Sequence, residues 1–349
     1  MVDSNEVLKL ISEALPLASI IESVVVSSTM IVLTSKRLKK SYDLKKDFKD
    51  KQIIVNFSPN IKDVLLYIKE ENFEERYKEY IKNFEKILVC SFDKSYLNTF
   101  YTNINKLKIK NEKRKLLDII LHVKESGGCY YFENNEIILK PYYSDATIYH
   151  ELLHLSSTVI NEDVSYIGFD QTCDKNSIAT GLNEGYTEYL TNKYFVKNDS
   201  SSYIYEYLRD ISELIEIIVG QDKMQKYYFN SDLFSLYFDL SNYIDVKYLD
   251  NLINDTDYLY KSFTDNITLL QYDKIVDIFR EVNYILIKTY INKLNNFDLD
   301  ENEYNKELNN FTNKIKDKFY SGNKIYYIYD EFELEEVINS LKNKKVKSK

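Results

Sequence analysis

From residue 61 to about residue 107 apolar side chains recur three and four apart: Val64, Leu65 and Ile68, then Tyr77, Ile81, Phe84 and Leu88. Lysines and glutamates fill the gaps, so the spacing predicts helix with a wet outer face. Upstream, Asn5 to Leu15 has the same period behind a Ser4 cap and stops at Pro16. The β-branched run Val24, Val25, Val26 and then Met30 to Thr34 reads as strand or as buried helix, and Gln52 to Phe57 as strand closed by Ser58 and Pro59. Glu112 to Lys124 is a further predicted helix, ended by Gly127 and Gly128, with His122 as a packing residue among leucines and isoleucines. Cys129 to Lys140, C-Y-Y-F-E-N-N-E-I-I-L-K, predicts a hairpin, because Asn134 and Asn135 tolerate the positive φ of a tight turn. Residues 155–181 carry the Asn, Asp, Ser and Gly content of an ordered loop. Beyond a D-S-S-S junction after Asn198 the pattern is helical almost throughout: 203–219, 231–244, 258–270, 272–294, 301–320 and 331–341. The class expected is α+β: an N-terminal region with a small mixed sheet over 1–110, a core over 111–199, a long helical lobe over 200–341 and a disordered basic tail over 342–349.

Thr147 to Ser157, T-I-Y-H-E-L-L-H-L-S-S, concentrates the chemistry, because it uses two of the chain's three histidines. On a helix over 145–156, capped by Ser144 or Asp145, His150 and His154 sit one above the other and can reach a single metal ion. Glu151 lies one position round, where it can touch a water on that metal without ligating it. Ile148, Leu152 and Leu155 fall on the core face.

A catalytic zinc site needs a third protein ligand. L-N-E-G-Y-T-E-Y-L, on a predicted helix over 182–196, offers Glu184 and Glu188, again four apart. Two histidines and a glutamate with one position left to water is a catalytic zinc composition. Glu184 is expected as the ligand, and Glu188 as the carboxylate that accepts the spare N–H of a ligand histidine. The hairpin over 128–140 just upstream can present its outer strand, Gly128, Cys129, Tyr130, Tyr131 and Phe132, for an extended peptide to pair with.

Composition adds exclusions. A net charge of −9 argues against a nucleic-acid surface. Cys90, Cys129 and Cys173 lack C-x-x-C spacing, so neither a disulfide framework nor a thiolate zinc site is indicated, and a reducing compartment fits. Leu17 to Leu33 is apolar but interrupted by Glu22 and five hydroxyl residues, and is read as buried structure without membrane contact. The acidic start M-V-D-S-N-E lacks the basic region of a signal peptide. The cytoplasm is expected, and export by a leaderless route is compatible with the same residues.

H-E-L-L-H followed by N-E-G-Y-T-E resembles the gluzincin clan of zinc metallopeptidases over residues 128–195. The resemblance implies a zincin-like core, Zn2+ held by His150, His154 and Glu184, Glu151 as general base, Glu188 orienting a ligand histidine, and the hairpin as substrate edge. It implies hydrolysis of peptide bonds, with a peptide or protein substrate as partner. Ser157 and Ile160 stand where a metzincin has its Gly and third His, so that subclass is excluded. Gluzincins add a Tyr or His that donates to the oxyanion; here Lys175, Asn176 and Ser177 fill the positions before the ligand glutamate where several carry a Tyr. Tyr166, Tyr227 and Tyr228 are the substitutes considered, and the donor is left unassigned. The alternative is a peptide-binding or regulatory protein that keeps the zincin fold with little turnover.

Overall fold

Two small sheets and a set of helices make up the computed structural model, which describes residues 73–111, 127–139, 143–160, 165–173, 176–196, 205–264, 269–319 and 331–346. The elements expected at Asn5–Leu15, Val24–Thr34, Gln52–Phe57 and Glu112–Lys124, with His122, lie outside the described residues, as does Leu17–Leu33. The described residues belong to one compact unit of mixed α/β class, rich in helix. No helix among them is long and apolar enough to cross a membrane.

The chain enters through α1 (Phe73–Ser91), a single 3-10 turn capped by Asp93, and α2 (Leu97–Ile104). The helical spacing read over 61–107 is thus taken up, from residue 73 on, by two helices rather than one, because Asp93 accepts from the Ser95 N–H at 2.8 Å and starts a new turn; residues 61–72 lie outside the described residues. Strand β1 (Lys108–Asn111) follows, then β2 (Gly128–Tyr131) and β3 (Glu136–Leu139). β1 runs parallel and β2 antiparallel to β3, in the order β1-β3-β2, which leaves β2 at an edge. Asn135 turns the hairpin at φ 48, and Phe132 sits in the 3-10 turn Phe132–Asn134 rather than in the strand.

Helix α3 (Asp145–Ser156) crosses this sheet. Ser144 and Thr147 form a reciprocal capping box at its start. Behind it, Phe84 of α1 and Phe195 stack at 4.8 Å, and Tyr149 stacks on Phe195 at 5.2 Å. The expected loop over 155–181 is instead a four-stranded antiparallel meander of β4 (Thr158–Ile160), β5 (Ser165–Ile167), β6 (Asp170–Cys173) and β7 (Asn176–Ile178). Its strands are three or four residues long, too short for alternation to show.

Helix α4 (Thr180–Leu190), continued by a π-helical turn (Thr191–Phe195), packs against α5 (Glu206–Val219) and α8 (Val246–Thr264). Between them run α6 (Gln221–Phe229) and α7 (Leu233–Ser241); α9 (Leu269–Asn295), α10 (Glu301–Phe319) and α11 (Glu331–Val346) close the layer. The helical pattern omitted α6 and the first half of α8, where D-N-L-I-N-D-T-D looks like turn sequence. Leu249, Leu252 and Leu259 are nevertheless buried at helical spacing. Helix α11 reaches Val346, so helix takes up most of the stretch expected as a disordered tail.

Glycine lets α4 approach its neighbours at backbone distance. A Cβ on Gly181 would stand 2.1 Å from the Thr256 carbonyl oxygen of α8, and one on Gly185 2.4 Å from the Leu208 carbonyl oxygen of α5. Gly181 and Gly185 are four apart and share one face; Glu184 and Glu188 are four apart and share another. Gly185→Ala is expected to destabilise by about 1–3 kcal/mol or more, since the gain of about 1 kcal/mol in helix propensity does not offset the backbone clash. Urea unfolding measures it, and an unchanged midpoint would contradict the close approach.

On α8, Asp255 has one carboxylate oxygen buried without a partner, and burial together with Glu281 pushes its pKa from 3.8 up to about 7 against the pull of Lys274. The folded form therefore keeps a proton that the unfolded chain releases, and stability falls as pH rises from about 4 to about 7. Asp255→Asn is expected to raise the melting temperature at pH 8 and to leave it unchanged near pH 4. Equal effects at both pH values would contradict this.

Candidate metal centre

α3 turns its two histidines toward α4. Both are 6% exposed, and their Nε2 atoms stand 3.0 Å apart. Two imidazoles that aim the same atom at one point need something shared between them. Glu184 completes the triangle: its Oε2 lies 3.1 Å from His150 Nε2 and its Oε1 3.4 Å from His154 Nε2. The three residues bring their donor atoms within 4.8 Å of one another. A tetrahedral zinc with bonds of about 2.0–2.1 Å separates its donors by about 3.3 Å, so two nitrogens and a carboxylate oxygen at these spacings fit the ion in both chemistry and size.

Glu188 sets the tautomer of His150. His150 Nδ1 lies 3.1 Å from Glu188 Oε2; with its proton there, Nε2 is left as a lone pair. Glu188 is itself held by Asn192 Nδ2, which donates to its Oε1 at 2.9 Å. His154 has no such acceptor among the described residues: its Nδ1 lies 3.4 Å from Asn183 Nδ2, a donor, and the Asn183 amide oxygen accepts the Phe169 N–H. Burial by itself disfavours charge on His150 and on Glu184. Hydrogen bonds to Glu184 and Glu188 reverse this for His150 and hold the imidazole well above its ordinary value; the charge of His154 and hydrogen bonds to both histidines hold the Glu184 carboxyl well below its own.

Glu151 is also buried, at 6% exposure, and does not ligate. Burial raises its pKa, while His150 and His154 pull the other way. Helix α3 packs against strand β2, the edge strand among the described residues, which carries Gly128, Cys129, Tyr130 and Tyr131. Cys129 and Tyr131 are exposed there, while the Tyr130 ring is buried and its hydroxyl donates to Asn135.

No family model, curated protein or solved structure matches the chain. The site is therefore read from its own atoms.

The structure brings together His150, Glu151, His154, Glu184 and Glu188. It gives the three tyrosines considered as donors other surroundings. The Tyr228 hydroxyl is hydrogen-bonded to Thr187 at 2.7 Å and wholly buried, the Tyr227 hydroxyl donates to Asp239 at 2.9 Å, and Tyr166 sits in the middle of β5, paired with Val159 and Gln171. Lys175 lies outside the described residues, and Ser177 donates to Asp170. Two other phenols border the centre. Tyr205 stacks on the His150 ring at 5.7 Å and 15°, and Tyr260 of α8 stacks on Tyr205 at 6.2 Å and 9°. Burial and then Glu184 hold the Tyr205 phenol well above its ordinary value; for Tyr260 the charge of Glu184 comes first and burial second. No local motif marks either residue among 33 tyrosines.

Proposed function

We propose that the protein is a zinc-dependent metallopeptidase with a zincin-like core of gluzincin type. The observation that carries this reading is the convergence of His150 Nε2, His154 Nε2 and the Glu184 carboxylate on one point, beside a buried, non-ligating Glu151. His150, His154 and Glu184 would hold the ion. Zn2+ bound there supplies a Lewis acid and lowers the pKa of its water from about 15.7 towards about 7.

The chain's own residues do the rest. Glu151, its pKa raised by burial, accepts the water proton and returns it to the leaving amine. Glu188 keeps His150 in the tautomer that presents Nε2. The outer edge of β2 pairs with an extended peptide, so backbone hydrogen bonds hold the substrate whatever its sequence. Tyr205 and Tyr260 present phenols beside the three ligands and serve as donors to the developing oxyanion, a role worth about 100- to 1000-fold in rate. Their placement favours hydrolysis over the peptide-binding alternative, which rested on the missing upstream tyrosine.

A mixed peptide library tests the reading. Cleavage is expected with zinc-loaded protein, its loss after treatment with a chelator, and its return when zinc is restored. Peptides cut at an undiminished rate after metal removal would contradict it.

A further inference from the structure

We infer that Asp257, on helix α8, is a positioning residue for the metal centre: it holds the first turn of α4 and thereby sets where the Glu184 carboxylate meets the two histidines. The inference rests on the metallopeptidase reading and names a part of the machinery that no motif marks.

Helix α4 does not cap itself. Its N-cap residue is Ala179, which has no side chain to offer and adopts a left-handed conformation at φ 64. The free amides of the first turn are met from a distant part of the chain. Asp257 Oδ2 accepts the Ala179 N–H at 2.9 Å, and Asp257 Oδ1 accepts the Gly181 N–H at 2.7 Å. One carboxylate thus spans two amides, which fixes both the rotation and the axial position of α4. Gly181 fixes the remaining coordinate, since its Cα rests against the Thr256 backbone with no room for a Cβ.

Glu184 follows Gly181 by three residues, less than one helical turn. Nothing soft lies between the clamp and the ligand. The same turn of α8 carries Tyr260, three residues beyond Asp257 and on the same face, where it stacks on Tyr205 against His150. A single turn of α8 therefore anchors the glutamate helix and borders the metal centre. Thr180 adds a second tether, its hydroxyl donating to Asp170 at 2.9 Å. That bond is made by a side chain, whereas the Asp257 bonds hold the backbone itself.

Asn and Ser at position 257 separate positioning from general stability. Asparagine keeps the shape but turns an N–H toward one of the two amides; serine keeps one acceptor. The test compares full-length wild type, Asp257→Asn, Asp257→Ser and a remote core variant, Leu308→Ala, by zinc competition against a chromophoric chelator and by the ligand-field absorption of the Co2+-loaded proteins. Both Asp257 variants are expected to bind zinc about 10- to 100-fold more weakly and to show altered Co2+ bands, while Leu308→Ala melts earlier with wild-type affinity and bands. If Asp257→Asn does not fold, Asp257→Ser carries the comparison. Wild-type affinity and bands in a folded Asp257 variant would overturn the inference and leave the metallopeptidase reading standing. A wild-type protein that takes up neither zinc nor Co2+ would overturn both.

Discussion

Glu151→Gln is expected to lower peptide hydrolysis by at least about 100- to 10,000-fold, the range of general-base catalysis, with zinc content unchanged. Glutamine has the size and shape of glutamate, so the fold around the site should hold. It cannot take up a proton, and the nearest other carboxylate, Glu184, is engaged with both histidines. Turnover on the best library peptide, measured beside the metal content of the same sample, checks this. A Glu151→Gln protein with normal turnover and full zinc would remove Glu151 from the reaction.

His154→Ala and Glu184→Ala are expected to release the metal. Structural zinc sites bind with about 10–16 kcal/mol; one donor in three carries on the order of 3–5 kcal/mol of that, a loss of two to four powers of ten in affinity. Glu188→Gln removes only the charge of the group that accepts from His150 Nδ1, together with one of its two acceptor oxygens, and should weaken binding by about 10- to 100-fold. The gradation discriminates: if Glu188→Gln and Glu184→Ala were equally harmful, the assignment of ligand and supporting carboxylate would be wrong. Acid should act in the same direction as these variants. A histidine ligates zinc only in its neutral form, so apparent affinity falls as pH is lowered. Titration at two pH values tests the sign.

The site was legible in the sequence where its geometry is set within one helix. His150 and His154 had to share a face once residues 145–156 were helical, and Ser144 or Asp145 supplied the signal for where that helix begins; the structure gives the cap to Ser144, with Thr147 as its reciprocal partner. Glu184 and Glu188 were readable for the same reason, four apart in a chain already known to need an acid. The hairpin was readable from Asn135, one of three non-glycine residues at positive φ among the described residues. What escaped depends on contacts between distant segments. Asp257, 73 positions beyond Glu184, sits in a run of Asn and Asp that looks like a turn. Tyr205 stood unmarked within the helix expected over 203–219; it is the N-cap residue of α5. The meander escaped for a different reason: β4 to β7 hold three or four residues each, and Thr172, Ser177 and Thr180 are polar because they hydrogen-bond around the buried Asp170. Gly181 and Gly185 read as poor helix formers and are required by the backbones of α8 and α5.

Metal content tests the central claim most directly. The full-length protein is stripped with a chelator, reloaded with excess Zn2+, passed through a desalting column and analysed for zinc and protein together. About one zinc per wild-type chain, and close to none in Glu184→Ala treated identically, is the expected result. A wild-type chain that returns from the column without zinc, or a Glu184→Ala chain that retains a full equivalent, would contradict the convergence of His150, His154 and Glu184 on one ion.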